Sequence, residues 1–414
     1  MSITGWGGDV TLTVEAAFSV PTSTSGVWGS GLWDTALWGV DVTWTDITAY
    51  LRSFTTIRAF QRETARWASG TATVVLDNSD GRFSPAHTSG PYASGGVTGI
   101  RPWRPIRATV TYAGTTYPVF YGYAIDFEES YPGFGVENVV VISAVDEIAK
   151  LAGFTSSSQG SLGDGETSGA RIHRIINNAG STANRAVEGL VAMQATTLEG
   201  AAVTLLDLTA DSEGGWLWVD GDGTVVFDSR FSPIENSRMS TSQATFGDQA
   251  GEIVYRSAVM SYDGDDIINM TSFAAVGGVV QTASDVTSRA FYGDRQQTRT
   301  DLICNSSVDV GVLAGTVVAR KKDPKLRIVS ATYRPQQNPS VLWPQVLGRR
   351  VRDRVLVNRR PSGYTVSQPS QIEGVAHTVT PDMWETQFQF SDATFWDSDF
   401  GMWDSGIWDT SIWF

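Results

Sequence analysis

Ala72-Thr-Val-Val-Leu76-Asp-Asn-Ser-Asp-Gly81 holds two kinds of local instruction in ten residues. Its first half is rich in β-branched side chains with period-2 alternation, which reads as a strand. Its second half is turn chemistry, because Asp, Asn and Ser bond their own backbone and Gly accepts positive φ. The same grammar extends on both sides. Alternation begins near residue 42. Arg107-Ala-Thr-Val-Thr-Tyr112 and Thr116-Tyr-Pro-Val-Phe-Tyr121 flank Ala113-Gly114-Thr115, a short Gly-containing loop that predicts a hairpin. Val139-Val-Val-Ile142 is a further strand, and Ser143 to Leu151 reads as a short helix with Gly153 past its end.

The middle of the chain changes period. Ser156 to Gly165 is a polar Gly/Ser stretch that reads as a linker or loop. Ala170 to Ala179 places Ile172, Ile175 and Ile176 on one helical face and stops at Gly180. Thr196 and Glu199 have the spacing of a capping box ahead of a helix with Ala202, Leu205, Leu206 and Ala210 inward, ended by Gly214-Gly215. Trp216-Leu-Trp-Val219 and Thr224-Val-Val-Phe227 then form a hairpin around Asp220-Gly-Asp-Gly223. Strands return from about 252 to 390. One helix, Ser307 to Lys322, interrupts them, with Val310, Leu313 and Val317 on one face and Pro324 blocking its continuation. The expected fold is mainly β, a β-rich α+β chain.

At 414 residues the chain has room for several domains. Its charged fraction is a low 18% and its net charge is −14, with no long basic run. Tight nucleic-acid binding needs a cationic patch, so that class is disfavoured. An acidic surface instead suits a channel through which DNA slides without sticking. Cys304 is the single cysteine, so no intrachain disulfide is possible and a buried thiol is expected. The N-terminus lacks the basic and apolar segments of a signal peptide. No stretch approaches the roughly 18 apolar residues of a membrane span.

Chemistry-bearing motifs are sparse. Asp220-Gly-Asp-Gly223 opens like a calcium loop, but Thr224 and Phe231 stand where further oxygen ligands belong. Asp77 to Gly81 fails likewise at Thr88, and Asp263-Gly-Asp-Asp266 has no such continuation, so all three read as turns. Gly163 to Gly169 lacks the Lys-Ser/Thr of a phosphate loop and reads as a flexible helix entry. His87, His173 and His377 are scattered and form no metal-ligand pair. No local signature supports a nucleophilic role for Cys304. Asp392, Asp397 and Asp399 cluster beside Trp396, a pattern compatible with a sugar site but simpler as a solvated acidic turn. No catalytic residue, cofactor or metal is expected.

One eleven-residue pattern occurs twice. Trp28-Gly-Ser-Gly-Leu-Trp33-Asp-Thr-Ala-Leu-Trp38 and Trp403-Asp-Ser-Gly-Ile-Trp408-Asp-Thr-Ser-Ile-Trp413 both read W-x-S-G-[LI]-W-D-T-x-[LI]-W. Each indole gains roughly 150–250 Å² of burial. A five-residue period fits neither helix nor strand, so short turns that point the rings to one side are expected. Trp28, Trp33, Trp38, Trp396, Trp403, Trp408 and Trp413 are therefore candidate interaction residues, for protein contact or mutual packing ahead of sugar binding.

Several stretches together resemble the baseplate hub, or tail-associated minor tail, proteins of long-tailed bacteriophages, especially those of actinobacterial hosts. They are Phe60-Gln-Arg62 with Trp67-Ala-Ser-Gly70 through Leu76-Asp-Asn-Ser-Asp-Gly-Arg-Phe-Ser-Pro85, Arg104-Pro-Ile-Arg107 through Val119-Phe-Tyr-Gly122-Tyr-Ala-Ile-Asp126, Leu205 to Arg230, and Val351-Arg-Asp-Arg-Val355 with Ile372-Glu-Gly374-Val-Ala-His377 and Trp384-Glu-Thr386. The resemblance spans about residues 42 to 392. It implies two tube-type β-barrel domains, 42–155 and 252–392, around an α+β insertion at 156–251, with Trp-rich arms at 1–41 and 393–414. It further implies a homotrimeric, non-enzymatic ring at the virion tail tip, made in the bacterial host cytoplasm, without membrane insertion. Its expected partners are the distal tail protein, the tape-measure protein and other tail-tip proteins, with phage DNA crossing the lumen unbound. A hexameric distal tail protein and a carbohydrate-binding or wall-degrading tip protein are the alternatives. The chain departs from many relatives by carrying only the Trp ladder after about residue 392. His377 and Trp384 read as packing residues.

Overall fold

The computed structural model describes residues 6, 9–20, 43–61, 66–132, 137–156 and 160–398. Strands take 42% of the chain and helices 22%, so the mainly β expectation holds. The long strands of the N-terminal half are β1 (Val10–Ala16), β2 (Leu51–Gln61), β3 (Thr71–Asp77), β4 (Arg104–Tyr112), β5 (Thr115–Ser130) and β6 (Val139–Val145). Alternation does what the sequence promised: Val10, Leu12, Val14 and Ala16 of β1, and Ala72, Val74 and Leu76 of β3, all point inward. The β4–β5 loop is tighter than expected. Thr115 pairs with Tyr112, which leaves Ala113 (φ 47) and Gly114 (φ 80) as a two-residue hairpin loop. The turn after β3 is closed by Asn78, whose buried side-chain oxygen accepts from the Phe83 amide at 3.0 Å.

Helix α1 (Glu147–Ala152) starts later than expected, because Ser143 to Val145 extend β6 and Asp146 caps the helix by accepting from the Ile148 amide. Then come α2 (Ser168–Asn178), β7 (Arg185–Glu188), α3 (Ala202–Glu213), β8 (Trp216–Val219) and β9 (Val225–Asp228). They enclose a separate core of Leu151, Ile172, Ile176, Leu206 and Phe227. Gly214, at φ 74, ends α3 as anticipated. The capping-box expectation fails. Ala201 is the N-cap of α3 and supplies no side-chain bond. Thr196 is engaged elsewhere: its backbone bridges Leu162 and its hydroxyl accepts from Arg171 at 2.7 Å.

The C-terminal half runs β10 (Thr245–Gly247), β11 (Ser257–Ser261), β12 (Met270–Ala275), β13 (Gln281–Ser284), α4 (Val286–Tyr292), β14 (Gln296–Leu302), α5 (Ser307–Lys321), β15 (Arg327–Tyr333), α6 (Pro339–Gly348), β16 (Arg354–Arg359), β17 (Val366–Thr380), β18 (Met383–Asp392) and α7 (Phe395–Ser398). A second small layer emerges here that the sequence reading missed. Strands β13, β12 and β14 form their own sheet, and α5 packs on it through Val310 and Ala314 against Phe273 and Leu302.

The remaining long strands join one 15-stranded sheet. Strand β17 is its seam. Its first part pairs with β16, Gly374–Val379 pair with Ala59–Phe54 of β2, and its other edge pairs with β18. From β2 the order continues β3, β6, β5, β4, β1, while β15 and β11 extend outward from β18. Among the described residues no barrel closes. The two closed barrels expected of one chain are not seen, because β17 links both halves edge to edge. One core accordingly contains Val14, Phe54 and Ile142 together with Trp343, Trp384 and Phe388.

Candidate interaction site

Trp28, Trp33, Trp38, Trp403, Trp408 and Trp413 lie outside the described residues. Trp396 is described, half-buried on α7. Its ring stands edge-on to Trp216, with centroids 6.2 Å apart at 74°, and the Arg320 guanidinium lies 5.2 Å from its centroid. Trp216 in turn packs against Arg352, 3.9 Å from its ring centre. The result is a stack in the order Arg352, Trp216, Trp396, Arg320. Each cation–ring contact is worth roughly 0.5–2 kcal/mol, rising as water is excluded. Arg352 is fully buried and holds φ 70, a left-handed value that is uncommon for a residue carrying a Cβ. Its guanidinium is fixed by Glu373 and Gln371, both at 2.6 Å.

Trp216, Trp396 and Arg320 form part of the wall of a cleft of about 620 Å³ where α3, α5, β15 and β18 converge. That volume falls in the roughly 300–1,000 Å³ range of ligand-sized pockets. Most cations lining it are matched: Arg327 with Asp263 and Asp266, Arg299 with Asp211, Lys325 with Asp392. Among the described residues Arg320 and Lys321 make no ion pair. Burial and the nearby Arg352 charge push Arg320 down to about 10, and burial likewise lowers Lys321.

The N-terminal ladder has a counterpart that the sequence reading passed over. Trp44 follows Trp38 by six residues, close to the ladder's own step. It sits edge-on to Tyr121, 6.1 Å away, with Arg107 at 4.2 Å over its ring. Both described tryptophans next to the ladders are thus held by an aromatic edge and an arginine. The near-regular spacing was the available signal.

The other motifs resolve as structure. Asp220-Gly-Asp-Gly223 is a hairpin turn closed by Asp220 N–H to Thr224 and Gly223 N–H to Asp220. The Asp220 carboxylate pairs with Arg58 at 3.0 Å. Gly221 lies so close to the Pro118 carbonyl that a Cβ would sit 2.5 Å from its oxygen, which docks this hairpin tip on β5. The Gly163–Gly169 entry is tied down by Arg171, which ion-pairs with Glu166 and donates to the Gln194 carbonyl at 2.6 Å. Cys304 is buried and donates to the Ser212 carbonyl. Burial pushes its thiol up to about 11, opposite to what a thiolate nucleophile needs. His377 is buried against Trp384 and bonds the Thr386 hydroxyl at 2.9 Å, the packing role expected of it. Burial, with Arg58 nearby, holds it down to about 3.

No protein-family model matches the chain, and no curated protein sequence does. Solved structures do. A tail protein from Neisseria meningitidis MC58 aligns over 94% of this chain and 97% of its own, at 13% identity and a TM-score of 0.57. The 43 kDa tail protein of prophage MuSo2 from Shewanella oneidensis aligns over 93% of this chain and 98% of its own, at 13% identity and a TM-score of 0.56. Over nearly its whole length the chain therefore shares the fold of these two tail proteins.

Proposed function

We propose that this protein is a structural component of a phage tail tip, a hub ring that continues and closes the tail tube and passes DNA on infection. The observation that carries the reading is the fold match to two tail proteins, which covers 93–94% of this chain and 97–98% of theirs. The segments 42–155 and 252–392 serve as the tube-wall domains, and 156–251 as the insertion. Among the described residues the sheet closes no barrel, which supports assembly, since β1 and β11 sit near open ends that neighbouring copies can cover. The net charge of −14 suits a conduit that must not hold DNA. The active partners are other tail-tip proteins, including the distal tail and tape-measure proteins, and the location is the virion. The role is non-enzymatic. Trp28, Trp33, Trp38, Trp403, Trp408 and Trp413 act as attachment rungs.

The test is the symmetry of the assembled tip. Cryo-electron microscopy of intact tails should place three copies in one ring. Six copies would move the chain to the distal tail class, and a single copy outside the tube would end the hub reading.

A further inference from the structure

We propose that the cleft between α3, α5, β15 and β18 binds a short neutral oligosaccharide, held by the amides of Gln297, Gln387 and Gln389 against the indoles of Trp216 and Trp396. This goes beyond the tail-tip reading and does not depend on it, since it concerns one site on the single chain.

The amides supply the hydrogen bonds. Gln387 and Gln389 share one face of β18, because Phe388 between them turns into the core. Gln297 of β14 lines the same cleft. All three are partly exposed, and among the described residues none of their side-chain amides makes a hydrogen bond. Each amide presents a carbonyl acceptor beside two N–H donors. That is the complement of neighbouring sugar hydroxyls, which both donate and accept. A purely apolar ligand would strip water from these amides and return no hydrogen bond.

The charges select a neutral ligand. Seven carboxylates and six cations line the cleft. Arg327 pairs with Asp263 and Asp266, Arg299 with Asp211, and Lys325 with Asp392. Arg320 lies in the fields of Glu373 and Asp392, and Lys321 in that of Asp266. With the two signs so nearly balanced, an anion gains from each cation what it loses to the carboxylate beside it.

The indoles supply an apolar wall. A pyranose carries hydroxyls at its rim and C–H groups on its faces, so it needs polar and apolar surface together. Trp216 and Trp396 are half-buried and line the cleft, which leaves part of each side chain open to it. Trp216 is held in place by Arg352, whose guanidinium lies 3.9 Å from its ring centre and is itself fixed by Glu373 and Gln371. Arg352 keeps φ 70 while fully buried. Such uncommon backbone conformations persist where the surroundings over-determine them, and they gather at binding sites. The cleft's volume of about 620 Å³ is of ligand size.

Saturation-transfer NMR and titration of the full-length protein test this with neutral trisaccharides of glucose, galactose, mannose or N-acetylglucosamine. At least one should bind at a single site, with an affinity that a rise of about tenfold in ionic strength leaves unchanged. Trigalacturonate, with the same ring count and three carboxylates, should bind at least about tenfold more weakly than the galactose trisaccharide. Gln387→Leu and Gln297→Leu, each checked for an unchanged thermal midpoint, should each weaken binding about three- to tenfold, the effect of one lost hydrogen bond. No binding of any of the four, or trigalacturonate binding as tightly as its neutral counterpart, would overturn the proposal. Full affinity in both glutamine variants would place the sugar elsewhere on the chain and overturn it as well. Ring symmetry in the tail is read separately, so failure here and failure of the hub reading are distinguishable.

Discussion

His377 shows how a single buried group ties this fold to pH. Its folded form titrates at about 3, against an ordinary value near 6.5, because burial opposes the charged ring. Between those values the unfolded chain binds the proton and the folded chain does not. Stability is therefore full above about pH 6.5 and declines as pH falls toward 3, by up to about 1.4 kcal/mol per pH unit. Asp146 and Asp228, both raised to about 6 by burial, act in the opposite sense. They favour the fold below the ordinary carboxylate range, and that contribution fades as pH rises through 6. The histidine contribution is best isolated by difference. His377→Gln should lower the signed difference, stability at pH 7 minus stability at pH 5, relative to the wild type in denaturant unfolding, even though it lowers stability at both. An unchanged gap would show that His377 is not the titrating group.

At the scale of elements, what was legible had a local cause. β3 and its turn, the β4–β5 hairpin, and helices α2, α3 and α5 all follow from side-chain period and turn residues. Helix α6 was missed, and its two prolines give a physical reason: Pro344 lies inside the helix and weakens its local signal, while Pro339 occupies the tolerated first turn. The β12–β14 layer was missed because its strands run exposed and polar on alternate residues, as in Gln296–Leu302, and pair partly in parallel. The cleft was invisible because it is built from four elements distant in sequence, although Trp396 itself was picked out from the ladder pattern. One element-level prediction follows from the hairpin. Ala113 sits at φ 47, where an L side chain other than Asn or Asp is unfavourable, ahead of Gly114 at φ 80. Ala113→Asn creates the Asn-Gly pair that this loop prefers. It should raise unfolding stability by about 0.5–1 kcal/mol, seen as a higher denaturant midpoint at constant slope. A lower midpoint would contradict the loop geometry.

For the whole molecule, the seam between β17 and β2 decides whether the two halves fold as one. Gly374 stands opposite Ala59 there, and a Cβ added at Gly374 would lie 2.8 Å from the Ala59 Cβ. No local sequence signal reports such a pairing, since the partners lie more than three hundred positions apart; only the close packing explains why a side chain is absent. Gly374→Val should force the strands apart and cost about 1–3 kcal/mol, the range for overpacking a tight site. Because Val74 and Ile142 share a core with Phe388 and Trp384 across this seam, the loss should spread to both sides. Native-state hydrogen exchange then gives a sharp readout. Core amides of β3, β6 and β18 should all speed up by a common factor of about tenfold or more. Acceleration confined to β17 and β18, with β3 and β6 unchanged, would mean that the halves unfold independently despite their shared sheet.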